Sequence, residues 1–178
     1  MILRNSPVKL GDMKTFFKRL VLGLLTLIVA ASLLIAIEYF GAQPMGLFSG
    51  SRPTDLGFKN GAFAKPSWKP NAVSSTIDKA DETHYIAPIH FSGDAASSWS
   101  KLTAAVKAQT GARVIAEQAD YLYAEFKSAG MGFVDDVEFA LDAKAGVIHV
   151  RSASRLGVRD LGVNRRRVEI LRSQIAAK

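Results

Sequence analysis

Eighteen consecutive residues, 20–37 (LVLGLLTLIVAASLLIAI), carry no charge, whereas from residue 85 onward the apolar positions recur with periods of two and of three to four. At about 1.5 Å rise per residue, such a run forms a helix that crosses most of a roughly 30 Å hydrocarbon core. Residues 20–40 are therefore expected to be a transmembrane helix, with Tyr39 and Phe40 in an interfacial aromatic belt. A secretory signal peptide has a shorter apolar region and ends in small residues; this run ends in Ile37-Glu38-Tyr39-Phe40, which reads as an uncleaved anchor.

The periodic part predicts an α+β domain over residues 84–178. Strand patterns occupy 86–91, 113–118, 121–127, 133–141 and 147–152. A helix begins after Asp94, an N-cap residue, and places Trp99, Leu102 and Val106 on one face; Gly111 supplies the stop. A second helix runs from about Asn164, read as its N-cap, to about residue 176, with Val168, Leu171 and Ile175 aligned. The connections between the last four strands are short, which requires antiparallel neighbours. The expected architecture is one antiparallel sheet of about five strands with both helices on one face. Between anchor and domain, residues 41–83 hold four of the six prolines and no sustained period, so they form a linker or a wrap. Phe58, Phe63 and Trp68 are too apolar for a purely solvated tether, which places part of this segment against the domain.

Charge adds orientation. Residues 1–19 contain Arg4, Lys9, Lys14, Lys18 and Arg19 against one acid, Asp12, so the positive-inside rule puts this segment in the cytoplasm. The remainder would then lie outside the inner (cell) membrane, in the periplasm or its equivalent. The chain has no cysteine, which excludes disulfides, thiolate metal sites and cysteine nucleophiles. Within the exported part the charge is uneven: residues 151–178 carry eight Lys/Arg and two acids, whereas residues 41–150 carry ten and twelve.

The candidate chemistry lies where these two populations meet. Alternation in residues 133–141 puts Asp136 and Glu138 on the face opposite Phe133, Val137, Phe139 and Leu141, and leaves Asp135 on the apolar face, where it needs a buried partner such as arginine. A four-residue turn to the next strand sets Glu138 opposite Arg151 and Ala140 opposite His149. That pairing is either a salt bridge on a wet sheet face or a functional polar site. A metal held by Asp136, Glu138 and His149 is a weaker reading, because one hairpin does not make three ligands converge. Arg165, Arg166 and Arg167 open the last helix, where the macrodipole disfavours cations. Their compensation is either internal, from Asp135, Asp136, Glu138, Asp160 and an Arg165–Glu169 pair, or external, from a phosphate or carboxylate at the helix start and the glycine-containing loop 154–162. His84, His90 and His149 have no nucleophile elbow to serve, and no phosphate-loop or dinucleotide fingerprint occurs. No cofactor or metal is expected, and the topology argues against nucleic acid despite a sequence pI near 9.8.

The stretches KPNAVSS, DYLYAEFKS, GFVDDVEFALD and GVIHVRSASRLGVRDLGVNRRRVEILR resemble a bacterial and plastid family catalogued as domain of unknown function 1499. The resemblance covers roughly residues 70–175. It implies a polar signature at Asp135, Asp136, Glu138, Arg151, Ser152, Ser154, Arg155, Asp160, Asn164, Arg165 and Arg167, a set expected to bind a ligand. Asn71, Ser74 and Ser75 would fold over it. Ala72 stands where such proteins often have cysteine.

The expectation is thus a single-pass membrane protein whose exported domain binds an anionic lipid, an envelope polymer or a membrane-protein partner. One alternative is an envelope hydrolase with Asp136 or Glu138 as general base and Arg151 and Arg155 steadying an oxyanion. Another is a structural subunit recruited through its anchor, where Gly23, Ala30, Ala31 and Ser32 permit close helix approach.

Overall fold

A computed structural model describes residues 10–42 and 48–176. The chain divides into two compact units, Met1–Pro44 and Met45–Lys178. The first contains helix α1, Leu10–Ala42, longer than its apolar run predicts. Its window Met13–Leu33 is long and apolar enough to cross a membrane, and none of it is buried. Thr26 donates its hydroxyl to the carbonyls of Leu22 and Gly23, and Ser32 donates to Ile28, so these polar groups are satisfied by the helix itself. Arg4 and Lys9, on which the orientation partly rests, and the side chains of Tyr39 and Phe40 lie outside the described residues.

The second unit is an antiparallel sheet of six strands with two helices. The strands are β1 (Ala72–Ser74), β2 (Ile89–His90), β3 (Ala112–Glu117), β4 (Tyr121–Lys127), β5 (Val134–Asp142) and β6 (Val147–Ser154). Their order is β1-β6-β5-β4-β3, and β2 joins β1 along the same edge of β6. Helices α2 (Ala95–Ala108) and α3 (Val163–Ala176) both pack on one sheet face, as the apolar spacing requires. Trp99, Leu102 and Val106 of α2 and Val168, Leu171 and Ile175 of α3 meet Leu122, Phe126, Val137, Phe139, Ile148 and Val150. Each of these large side chains contributes about 1.5–3 kcal/mol by leaving water.

Three local differences from the sequence reading have clear causes. Strand β1 lies inside the proline- and glycine-rich segment; three residues are too few to show a period, and β1 forms because Ala72 to Ser74 pair with Ala153 to Arg151. The strand expected over 86–91 is reduced to Ile89–His90, since Ser74 and Ser75 claim part of β6 and its surroundings. Asn164 is not the N-cap of α3. The side chain of Asp160 reaches forward and accepts from the amides of Gly162 and Asn164, and the helix begins at Val163. At the other helix the expected cap holds: Asp94 accepts from the amide of Ser97 at 2.7 Å.

Gly111 shows the tightest backbone approach in the turn from α2 to β3. It has φ +78°, and a Cβ there would stand 2.3 Å from the Lys127 carbonyl oxygen. Gly130 has nearly the same φ, +80°, with nothing within 4 Å of its missing Cβ. Gly130→Ala is therefore expected to lose only the left-handed penalty of about 1–2 kcal/mol. Gly111→Ala should lose clearly more, because the β3–β4 pairing must shift as well. Equal urea midpoints for the two variants would show that the close approach at Gly111 is readily relaxed.

Candidate functional site

Strand β5 carries three carboxylates, and its alternation delivers them to opposite faces of the sheet. Asp136 and Glu138 point away from the helices, toward residues 48–76. The register is the one read from the turn length: Glu138 pairs with Arg151 and Ala140 with His149. This face is not wet, however. Asp136 is 1% exposed and Glu138 fully buried, because the preceding segment lies over them. Arg52 donates to Glu125, the amide of Gly57 donates to Glu138, and Phe58 stacks on His149. Residues 52–58 of this segment thus lie against the sheet.

Arg155 is the hub of the first cluster. Its Nε and Nη2 grip both oxygens of Asp136 at 2.9 and 2.7 Å, and Nη2 also donates to Glu125. The Tyr123 hydroxyl donates to Asp136, and Arg52 supplies Glu125 with a second guanidinium at 2.6 Å. Burial raises the Glu125 pKa, but hydrogen bonds from Arg155 and Arg52 outweigh it and hold the carboxyl below its ordinary value. Hydrogen bonding to Asp136 raises Arg155 further above the usual guanidinium range, against the opposing effect of burial. A few ångströms along the same face, Glu138 accepts from Arg151 at 2.9 Å, from the Tyr121 hydroxyl at 2.8 Å and from Gly57 at 2.6 Å. Burial, followed by hydrogen bonding to the carboxylates, raises the pKa of both Tyr121 and Tyr123 and keeps the phenols protonated.

The second cluster lies on the helix side. Asp135 accepts from Arg167 of α3 at 2.6 Å and from the Ser154 hydroxyl at 2.5 Å. This is an arginine partner of the kind that its place on the apolar face demanded, itself partly buried. Arg167 sits 4.5 Å above the Phe126 ring and also donates to Ser152 Oγ and Asn164 Oδ1. Asn164, completely buried, accepts from Ser152 and donates to Ser154 Oγ and to the Asn71 carbonyl. Asn71 in turn donates to the carbonyl of Gly157 at 2.9 Å. Ser74 pairs with Thr76, and Ser75 with His149 and the Val150 amide.

Ten of the eleven residues singled out from sequence thus fall into two clusters and a helix cap. Asp136, Glu138, Arg151 and Arg155 lie under the wrap; Asp135, Ser152 and Ser154 meet Asn164 and Arg167 of α3 where that helix packs on the sheet; Asp160 occupies the α3 N-terminus as an internal anion. Arg165 joins neither cluster. It donates to the carbonyls of Glu82, Thr83 and Tyr85, while Glu169 pairs with Arg172, so the expected Arg165–Glu169 pair is replaced by two others. Asp136, Glu138 and His149 each have different partners, and among the described residues no three acidic or histidine side chains group as a metal site would. Sequence reading missed Arg52, Gly57, Tyr121, Tyr123 and Glu125. The last three carried a signal: they alternate with the core residues Leu122, Ala124 and Phe126 and so share the face of Asp136.

Two consequences are measurable. Asp135→Asn preserves shape but strands the Arg167 guanidinium, and is expected to reduce stability by about 3–5 kcal/mol in urea or thermal denaturation. A loss below about 1 kcal/mol would mean that water already screens the pair. His149 is the second case: burial lowers its pKa from 6.5, partly offset by Asp142. The neutral ring's contribution to stability is complete above the unfolded value near 6.5 and is lost as pH falls through the lower folded value. The wild type should weaken between about pH 7 and 5, and His149→Gln should weaken less; parallel curves would show that the ring titrates freely.

No curated protein and no solved structure matches the chain. A family model does match, over residues 64–175, a span that takes in every residue of both clusters except Arg52 and Gly57. The chain therefore belongs to the family described as Protein of unknown function (DUF1499).

Proposed function

We propose that the protein is a single-pass protein of the inner (cell) membrane with its N-terminus in the cytoplasm, displaying a binding or accessory domain on the outer side. The apolar helix α1 supports the anchor, and the lysines and arginine just ahead of its apolar run support the orientation. The observation that carries the non-catalytic reading is the saturation of the buried carboxylates. A general base must keep a lone pair for substrate and face space that substrate can enter. Asp136 and Glu138 instead accept from Tyr123, Arg155, Tyr121, Arg151 and Gly57, beneath the wrap. On this reading the acid-arginine set is the lock that holds wrap, sheet and α3 as one rigid body, and recognition takes place on the outer surface. The hydrolase alternative would need that lock to open; recruitment through α1 alone would make the domain dispensable.

Two experiments separate these readings. Because the chain is free of cysteine, single-cysteine variants report topology directly. Lys79→Cys should react with an impermeant maleimide in intact spheroplasts and Ser6→Cys only after lysis; the opposite pattern would reject the orientation. In a strain lacking the gene, a chain with Glu138→Met and Arg151→Met together should restore any deletion phenotype, since a buried ion pair is replaceable by packed apolar groups. Failure of that variant despite a wild-type melting temperature would favour the enzyme.

A further inference from the structure

Among the described residues outside α1, eight large apolar side chains are exposed, and five of them fall within residues 156–170: Leu156, Val158, Leu161, Val163 and Ile170. Leu161 is 83% exposed, and its backbone stands at φ +55°, a left-handed conformation that leucine rarely adopts. The bonds around it enforce that geometry, with Asp160 capping the amides on either side of Val163. Interleaved with these apolar groups are two exposed cations. Arg159 has no hydrogen-bond or ion-pair partner among the described residues, and Arg166 donates only to the carbonyl of Leu161. The Arg166 guanidinium lies beside Gly162 and lines a shallow surface with Ile170, so the cations and the apolar groups are neighbours. The acids of this region are already engaged, Asp160 at the cap and Glu169 with Arg172.

Deepening the reading above and resting on its membrane anchor, we propose that residues 156–166, with Ile170, form an interfacial contact for anionic phospholipid headgroups. Apolar side chains flanked by arginines suit the boundary between acyl chains and headgroups, where guanidinium forks bind phosphate oxygens. Chain continuity favours lipid over a soluble partner. Ser49 accepts from Arg155, and a Cβ on Gly50 would stand 2.9 Å from Arg155 Cβ and 3.1 Å from Leu156 Cγ, so the chain enters the domain against the start of this loop. Only residues 43–47 connect α1 to that entry point, a reach of at most about 20 Å. Covalent reach alone therefore raises the effective concentration of the loop at any bilayer that holds α1.

The test uses the full chain in lipid nanodiscs, with a polarity-sensitive fluorophore on Val158→Cys and, as control, on Lys144→Cys in the turn at the other end of the β5–β6 hairpin. Nitroxide-labelled headgroup lipid should quench Val158→Cys and spare Lys144→Cys, more strongly with phosphatidylglycerol than with phosphatidylcholine alone. Adding Arg159→Gln and Arg166→Gln should reduce the bound-to-free ratio by about fivefold per arginine. Equal quenching at both positions, or no dependence on anionic lipid, would overturn the proposal. So would absence of quenching in correctly loaded discs, which would assign the patch to a protein partner. A chain that does not enter the discs, seen on size exclusion before any quenching is read, would remove the anchor and with it this inference.

Discussion

An ionised carboxylate taken out of water must be met by a donor that repays its lost hydration, and strand β5 imposes that requirement three times in four residues. Alternation sends Asp135 toward the helices and Asp136 and Glu138 toward the wrap, so no single covering element can satisfy them. With Glu125 alongside, the four acids meet four arginines drawn from separate parts of the chain: Arg52 from the wrap, Arg151 and Arg155 from β6 and its exit, and Arg167 from α3. For the buried pairs Glu138–Arg151 and Asp136–Arg155, forming the pair gains little whereas removing one partner costs several kcal/mol. The sheet is therefore closed on both faces by electrostatic need as much as by apolar contact.

This arrangement answers why guanidinium groups concentrate in residues 151–172. The acids reside in the middle of the sheet, and β6 and α3 are the segments that can present cations to its two faces. Arg165 and Arg172 serve a related end by donating to backbone carbonyls of residues 82–88, tying that loop to α3. Arginine suits the task because its planar fork supplies several donors in fixed directions, as Arg155 does for two carboxylates at once. The cations left over, Arg159 and Arg166, stand at the surface among exposed apolar side chains. Interior and exterior arginines within one short stretch thus have different physical roles.

Strands β3 to β6, the two amphipathic helices, the β5–β6 register and the need of Asp135 for a cationic partner were legible in the sequence, because each follows from a period or a turn length. Strand β1 was not, since Ala72–Ser74 is extended only through its pairing with β6. The α3 cap was misread because Asp160 acts from four residues before Asn164, a choice that Leu161 and Gly162 make possible through positive φ angles. What the sequence determined by itself is the long apolar helix, the α+β class and which residues alternate onto which sheet face; these depend on local order along the chain. Only the tertiary structure decided that the acidic face is dry and that each arginine has its particular partner, because pairings such as Arg52 with Glu125 or Arg167 with Asp135 join residues separated by 73 and 32 positions. Such pairs leave no periodic trace, and the covering of a charged face is settled by which distant segment can satisfy it.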